Sequence, residues 1–181
     1  TRNHSSAASD VYKRQKYDDR FEKIVAANTG LPTGKAPLSE GFAVFREFLQ
    51  IKPDLHVGGQ VRNGTTKGID ENALAAYNAP FPDDDHKQGV RQFPNLVPGT
   101  PRTPSAEPNK EAWKILREWK KPFLCAFSDK DPIFSGVENS FYKLIPGCKD
   151  MPHVTIQNAG HFLQEDQPNA CVEAILSIKD I

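Results

Sequence analysis

Cysteine, net charge and long apolar runs are all scarce in this sequence. Its 181 residues include only three cysteines, Cys125, Cys148 and Cys171, which are far apart and form no C-x-x-C motif. This pattern indicates neither a disulfide framework nor a zinc site, so we interpret each cysteine as a small hydrophobic side chain. The 23 basic residues balance 23 acidic ones, which gives no electrostatic case for binding nucleic acid or an anionic membrane.

The apolar runs are far shorter than the roughly 20 residues that span a bilayer, and no charged and apolar leader opens the sequence. We therefore expect a soluble, cytoplasmic protein with a small neutral partner. The acidic stretch Asp83–His86 could in principle ligate a metal, but it follows two prolines and lacks a second ligand group at a defined spacing. We expect a solvated loop there and no metal.

A nucleophile motif is also missing, because no G-x-S-x-G or G-x-D-x-G occurs in the 181 residues. Two other chemical groups stand out. Asp131 and His161 each follow an apolar, strand-like run, at residues 123–127 and 154–156. The separation of the two residues matches one strand-helix-strand unit, which takes roughly 30 residues. We expect both side chains to leave the carboxyl ends of neighbouring parallel strands, where open α/β sheets form their sites.

The pair has a known chemical use. A carboxylate that accepts the ring N–H of a histidine orients the ring and stabilises its protonated form, which leaves the other nitrogen free to act as a base. An acid followed by a histidine, both late in the chain, is the order found in α/β-hydrolases. Asp129 is the rival acid, and surface or capping roles for Asp131 and His161 are the plain alternative. Gly160 would allow a close backbone approach just before the histidine.

The organisation of the chain follows from its periodicity. Residues 1–16 show no period, and we exclude them as a non-native or disordered tail. Residues 17–37 are predicted as a core strand, over Phe21–Ala27, followed by a turn. Residues 38–98 are predicted as a helical insertion between core strands, with helical pieces at 42–49 and 71–77.

Residues 99–181 are predicted to return to the core. The five prolines between residues 94 and 108 favour an extended crossing. Helical spacing over residues 109–120 places Trp113 and Trp119 towards the core. A helix near 138–145 and a closing helix from Pro168 complete the predicted α/β units.

Four segments, residues 25–34, 76–83, 89–94 and 159–166, together resemble the haloalkane dehalogenases. The resemblance runs from about Arg20 to the end of the chain. It implies the C-terminal part of an α/β-hydrolase fold, with the last three parallel strands, their flanking helices and an inserted helical cap. It also implies chemistry in which an upstream aspartate displaces a halide and forms an alkyl ester. His161, oriented by Asp131, would then activate water to hydrolyse that ester, without cofactor or metal.

The resemblance also implies a lining for a small, apolar and possibly halogenated substrate. Similar dehalogenases carry a cap tryptophan whose N–H helps to hold the leaving halide, and Phe45 stands at that place here. The other positions that match the family's pocket are Phe42, Phe93, Pro94, Val97, Ile133 and Phe134. Ordinary packing between the insertion and the core is the alternative explanation for all of them.

Three other functions stay open at this stage. An epoxide hydrolase shares the fold but needs two cap tyrosines, and the insertion has only Tyr77. A serine esterase would use the same Asp131 and His161 with a different upstream residue. A non-catalytic, hydrolase-like binder is the third. Because the nucleophile motif is absent, the 181 residues alone are predicted to be inactive.

Overall fold

The computed structural model describes residues 21–179, and they form a parallel three-stranded sheet. The strands are β1 (Ile24–Ala26), β2 (Phe123–Ser128) and β3 (Val154–Ile156), in the order β1-β2-β3. Both strand pairs are parallel. The prediction of three neighbouring parallel strands is thus confirmed. The prediction for residues 1–16 lies outside the described residues.

Strand β2 is the centre of the core, because all six of its residues are buried. Burial on both faces is typical of a parallel strand covered by helices. Side chains of Phe123, Cys125 and Phe127 enter one hydrophobic cluster, and those of Leu124 and Ala126 enter another on the opposite face. The sheet is therefore the middle layer between two helical layers.

Eight α-helices lie in the described part of the chain. Four of them fall between residues 38 and 98: α1 (Glu40–Ile51), α2 (Val57–Asn63), α3 (Glu71–Asn78) and α4 (Gln88–Gln92). The other four flank the sheet: α5 (Ala106–Leu116), α6 (Glu138–Leu144), α7 (Leu163–Asp166) and α8 (Pro168–Ser177). Short 3₁₀ turns occupy Asp85–Lys87, Phe93–Leu96 and Pro146–Cys148.

Side-chain caps explain where two of the helices in the insertion begin. The Oγ atom of Ser39 accepts a hydrogen bond from the N–H of Phe42 at 3.3 Å, before α1. The Oδ1 atom of Asp70 accepts one from the N–H of Ala73 at 2.8 Å, before α3. Each cap satisfies an N–H that has no partner within its helix.

The predicted extended crossing over residues 94–108 is wrong. Residues Phe93–Leu96 form a 3₁₀ turn, and α5 begins at Ala106 with Pro108 in its first turn. Proline is tolerated there because the first N–H groups of a helix lack helical partners anyway. Helix α5 also ends at Leu116, so Trp119 is buried in the core cluster beyond the helix end.

Two smaller differences have equally local reasons. Strand β1 is shorter than predicted because its neighbour begins after Pro122, which has no N–H to extend the ladder. Helix α2 was not predicted because Gly58 and Gly59 lower its helix propensity. The structure explains Gly58, since a Cβ atom there would lie 2.6 Å from the carbonyl oxygen of Leu74 in the packed helix α3.

The remaining sequence-based expectations concern burial and exposure. Cys125 and Cys148 are buried and Cys171 is half-buried, all with free thiols, which confirms their prediction as small hydrophobic side chains. The Asp83–His86 stretch is exposed as predicted, with a hydrogen bond of 2.6 Å between the Asp83 carboxylate and the His86 ring. Between residues 21 and 179, no helix is long and apolar enough to cross a membrane.

Candidate active site

Asp131 and His161 meet at the carboxyl ends of β2 and β3. The Nδ1 atom of His161 lies 3.0 Å from Oδ2 of Asp131. The other carboxylate oxygen, Oδ1, accepts the N–H of Ile133 at 2.8 Å, which fixes the plane of the carboxylate. Both acceptor oxygens of Asp131 are thus occupied, and its side chain is 1 % exposed. The geometry is that of an acid that orients a histidine ring.

The histidine ring lies between two aromatic side chains. Phe134 stacks on it with a centroid distance of 5.7 Å, and Phe162 meets it edge-on at 5.0 Å. These contacts restrict the rotation of the ring. In residues 21–179, Nε2 of His161 has no hydrogen-bond partner, while 27 % of the side chain stays exposed. A base that must reach a water molecule needs this access.

Asp129 occupies a different position from its rival Asp131. Its Oδ1 atom accepts the N–H of Ala159 at 3.1 Å, which ties the end of β2 to the turn after β3. Backbone hydrogen bonds from Ala159 and Asn158 lower the pKa of the Asp129 carboxyl below its usual value. Its recorded contacts are with backbone groups and none is with His161, so the geometry favours Asp131 as the orienting acid.

A buried asparagine just after β1 supports the site. The Nδ2 atom of Asn28 donates to Oγ of Ser128 at 2.7 Å and to the carbonyl oxygens of Gly160 and His161 at 2.9 and 3.0 Å. Its Oδ1 atom accepts the N–H of Ser128 at 2.9 Å. Sequence reasoning missed this role, although an asparagine directly after a predicted strand is a signal that could have suggested it.

Gly160 allows the close approach that the sequence suggested. A Cβ atom at this position would lie 2.5 Å from the carbonyl oxygen of Gly64, which no side chain could occupy without displacing the backbone. The N–H of Phe162 donates to the same carbonyl at 3.1 Å. The turn that carries His161 is therefore in direct backbone contact with the loop that follows α2.

The predicted lining residues differ in how closely they approach the histidine. Of these predicted lining residues, Phe134 alone has a ring contact with His161. Phe42 contacts Phe45 at a centroid distance of 6.4 Å, within α1. Burial also varies: Phe42 and Pro94 are buried, Phe45, Val97, Ile133 and Phe134 are half-buried, and Phe93 is 52 % exposed. A hydrogen bond joins the start of α1 to the loop that follows Asp131: Ser39 Oγ donates to the carbonyl oxygen of Ile133 at 3.1 Å.

An apolar groove of about 760 Å³ leads to the histidine along β1. Its lining includes Ile24 and Val25 of the strand, Ile175 of α8, and His161 with Phe162. In residues 21–179, β2 is the only strand paired with β1. The groove is therefore lined both by the strand at this edge of the described sheet and by the candidate base.

Comparison with known proteins shows which enzymes this chain is similar to. The chain is 50 % identical over 149 residues to a haloalkane dehalogenase of Psychrobacter cryohalolentis, which covers 82 % of this chain and 49 % of that protein. It is 40 % identical over 159 residues to one of Mycolicibacterium paratuberculosis, covering 88 % and 52 %. The chain is a homologue of the haloalkane dehalogenases. It spans about half the length of these curated relatives. No protein-family model matches it.

Solved haloalkane dehalogenases show the same fold. The tetrameric structure of the Paraglaciecola agarilytica enzyme superposes with a TM-score of 0.84 at 26 % identity, covering 96 % of this chain and 58 % of that one. The enzyme of Bradyrhizobium elkani superposes with a TM-score of 0.74 at 18 % identity, covering 96 % and 65 %. This dehalogenase homologue thus has part of an α/β-hydrolase fold, as the sequence predicted.

Proposed function

We propose that this chain carries the acid and the base of a haloalkane dehalogenase that cleaves a carbon–halogen bond through an aspartyl-ester intermediate. The observation that supports this most strongly is the 3.0 Å contact between Asp131 and His161 at the ends of adjacent strands, in a homologue of these enzymes. Asp131 orients the ring, and His161 is the base that activates water.

The proposed hydrolytic step uses the free nitrogen of His161. A water molecule transfers a proton to Nε2 while its oxygen attacks the carbonyl carbon of the ester. The ring becomes positively charged, and the buried Asp131 carboxylate stabilises that charge through the Nδ1–H bond. The bond from the carbonyl carbon to the alkoxy oxygen then breaks, and the imidazolium returns its proton to that oxygen, which releases the alcohol. The aspartic acid left behind loses its remaining proton to solvent, which regenerates the carboxylate. Phe134 and Phe162 hold the ring in place throughout.

The nucleophile is proposed to come from a strand that pairs with the unpaired edge of β1. Such a strand would lie in the groove beside Ile24 and Val25, and its carboxyl end would be next to His161. In α/β-hydrolases the nucleophile sits on the turn that follows its strand, at this same end of the sheet. The absence of a nucleophile motif from the 181 residues agrees with this placement.

The proposed substrate is small, apolar and halogenated, and the halide must be held without a tryptophan at position 45. The indole N–H of Trp113 cannot serve, because it donates to the carbonyl oxygen of Leu31 at 2.7 Å. The hydroxyl of Tyr77 cannot donate to the halide either, since it donates to Glu165 at 2.6 Å. Burial and this bond raise the pKa of Tyr77 to about 12. That contact argues against epoxide opening, which needs cap tyrosines that donate to the substrate. The cytoplasmic location stays a prediction.

Activity of the complete protein tests the proposal. We expect it to release halide from 1-bromobutane, with no comparable turnover of styrene oxide or of a p-nitrophenyl ester. Turnover of the ester but not of the haloalkane would indicate a serine esterase, and no turnover by a folded protein would favour a binder.

Matched acid-to-amide variants then test the assigned roles. Asp131→Asn should lower the rate of halide release in steady state by about 10² to 10⁴-fold, because the base loses its orientation. Asp129→Asn makes the same change two residues earlier and should lower it far less. The opposite order would make Asp129 the orienting acid and contradict the proposed site.

A further inference from the structure

A second buried carboxylate, Asp166, lies five residues after the candidate base and is only 2 % exposed. It has backbone N–H donors on both oxygens. Oδ2 accepts from Gly160 at 2.8 Å and from Thr66 at 2.8 Å, and Oδ1 accepts from Thr66 at 3.0 Å and from Lys67 at 3.3 Å. Burial raises the pKa of the Asp166 carboxyl, but these donors outweigh it and hold the pKa below its usual value.

The donors come from two segments that are far apart in the sequence. Gly160 is in the turn that carries His161, whereas Thr66 and Lys67 are in the loop between α2 and α3. Further bonds join the same two segments: the Phe162 N–H donates to the carbonyl oxygen of Gly64 at 3.1 Å, and Thr66 Oγ1 donates to that of Asn158 at 2.9 Å. The loop of residues 64–67 and the histidine turn of residues 158–162 thus form one connected unit.

The backbone on either side of His161 is held from this loop. The peptide N–H before the histidine, at Gly160, binds Asp166, and the one after it, at Phe162, binds Gly64. Because the side chain of His161 extends from its own backbone, these two hydrogen bonds fix the position of the backbone that carries the ring. A shift of about 1 Å at a reacting group can cost about 100-fold in rate.

We propose that Asp166 is a positioning residue for His161. Its carboxylate binds the loop of residues 64–67 to the histidine turn, so that the insertion, and not the sheet alone, holds the base against Asp131. The proposal rests on the proposed function for the step that it affects, namely the hydrolysis of the ester. It assigns Asp166 no contact with the substrate.

An asparagine at this position is the informative change. The amide keeps the size of the side chain, but it replaces one acceptor oxygen by an NH₂ group. That group would face the N–H of Gly160 or of Lys67, which donates and cannot accept. The connection between loop and turn is then broken on one side.

Glu165→Gln is the matched control. Glu165 precedes Asp166 on the same helical turn, and its carboxylate binds Tyr77 of the insertion at 2.6 Å without contacting the histidine turn. The control therefore removes the same charge and also loosens the insertion from the core. If only the general attachment of the insertion mattered, both variants would behave alike.

The experiment separates the two chemical steps in the complete protein, with 1-bromobutane as substrate in single-turnover measurements. In Asp166→Asn we expect unchanged formation of the alkyl ester and a decrease of about 10- to 100-fold in its hydrolysis. In Glu165→Gln we expect both steps within about twofold of the starting protein, because its carboxylate does not contact the histidine turn. Equal hydrolysis rates in the two variants would overturn the positioning role.

The NMR resonances of the His161 ring give a second measurement, which does not depend on enzyme activity. They are assigned by their loss in His161→Gln, and we expect them to shift in Asp166→Asn but not in Glu165→Gln. If His161→Gln accumulates the ester while Asp166→Asn changes neither hydrolysis nor the ring signals, the positioning role fails and the proposed function survives. If no ester forms in His161→Gln, the proposed function fails, and the ring signals alone decide the role of Asp166.

A milder variant covers the case in which Asp166→Asn does not fold. Asp166→Glu keeps the charge and both acceptor oxygens but moves them by one methylene group. We expect it to fold and to slow ester hydrolysis, with a shift in the His161 ring signals. A folded Asp166→Glu protein with unchanged hydrolysis and unchanged ring signals would equally overturn the proposal.

Discussion

Replacing Asn28 by alanine tests the buried network that joins all three strands to the histidine turn. The side chain makes four hydrogen bonds, to Ser128 Oγ, Ser128 N–H and the carbonyl oxygens of Gly160 and His161. The residue is 7 % exposed, so water cannot readily replace these partners. Asn28→Ala should therefore destabilise the protein by more than a surface change does.

The size of the expected destabilisation depends on which polar groups lose all of their hydrogen-bond partners. The carbonyl oxygen of Gly160 keeps the hydrogen bond from Ser128 Oγ at 2.8 Å. The buried N–H of Ser128 and the partly buried carbonyl oxygen of His161 lose theirs, at about 1 to 3 kcal/mol for each group. Asn28 also has φ +36°, where alanine is disfavoured by about 1 kcal/mol. We expect a total loss of about 3 to 7 kcal/mol in the free energy of unfolding.

Urea denaturation of the complete protein measures the effect as a lower midpoint at unchanged slope. Asn158→Ala is the matched control, because Asn158 also has a positive φ, +57°, but its side chain is exposed and binds only Lys130 Nζ at 3.2 Å. It should lose only the backbone part, about 1 kcal/mol. Equal losses in the two variants would show that the buried hydrogen bonds contribute nothing.

Three further predictions concern other parts of the molecule. Phe45→Trp should raise halide release by adding an N–H donor, worth up to about 3 kcal/mol in barrier; an unchanged rate in folded protein would place the side chain away from the halide. Neutral His153 accepts the Cys125 N–H and donates to the Cys148 carbonyl oxygen, at 3.0 and 2.9 Å, and burial lowers its pKa below 6.5. The stability that His153 contributes should be fully present above pH 6.5 and be lost as the pH falls through the lowered pKa. Denaturation midpoints at pH 7.5 and 5.0 should therefore differ more in the starting protein than in His153→Gln. Equal differences in the two proteins would contradict this. Arg91 donates to three carbonyl oxygens at and after the end of α1, at 2.7, 2.7 and 2.9 Å. Arg91→Lys should therefore lower the free energy of unfolding by about 1 to 3 kcal/mol. A change near zero in urea denaturation would refute this capping role.

The elements that could be predicted from the sequence are those with a local signal. The apolar run before Asp131 predicted β2, and the shorter run at residues 154–156 predicted β3. The general rule that parallel strands end at the same edge then predicted that Asp131 and His161 would be close. The structure places them in contact, and their catalytic roles stay a proposal.

What could not be predicted depends on contacts between distant residues. Asn28 binds groups 100 to 133 positions away, and Asp166 binds Thr66 across 100 positions. The spacing of apolar residues along the sequence does not indicate such pairs. Helix α2 was missed for the same reason, because Gly58 lowers local propensity and is favoured only by the close packing of α3. The proline-rich stretch was misjudged because proline excludes the middle of a helix but not its first turn.

Trapping of the ester in His161→Gln is the most direct test of the central claim. A carboxylate nucleophile is already ionised at neutral pH, so halide displacement does not need the histidine, whereas a serine must transfer its proton to it. After incubation of the complete variant with 1-bromobutane, we expect about one halide released per active site and an intact mass increased by one butyl group. A folded variant that binds the substrate but shows neither the halide burst nor the added mass would contradict the aspartyl-ester mechanism.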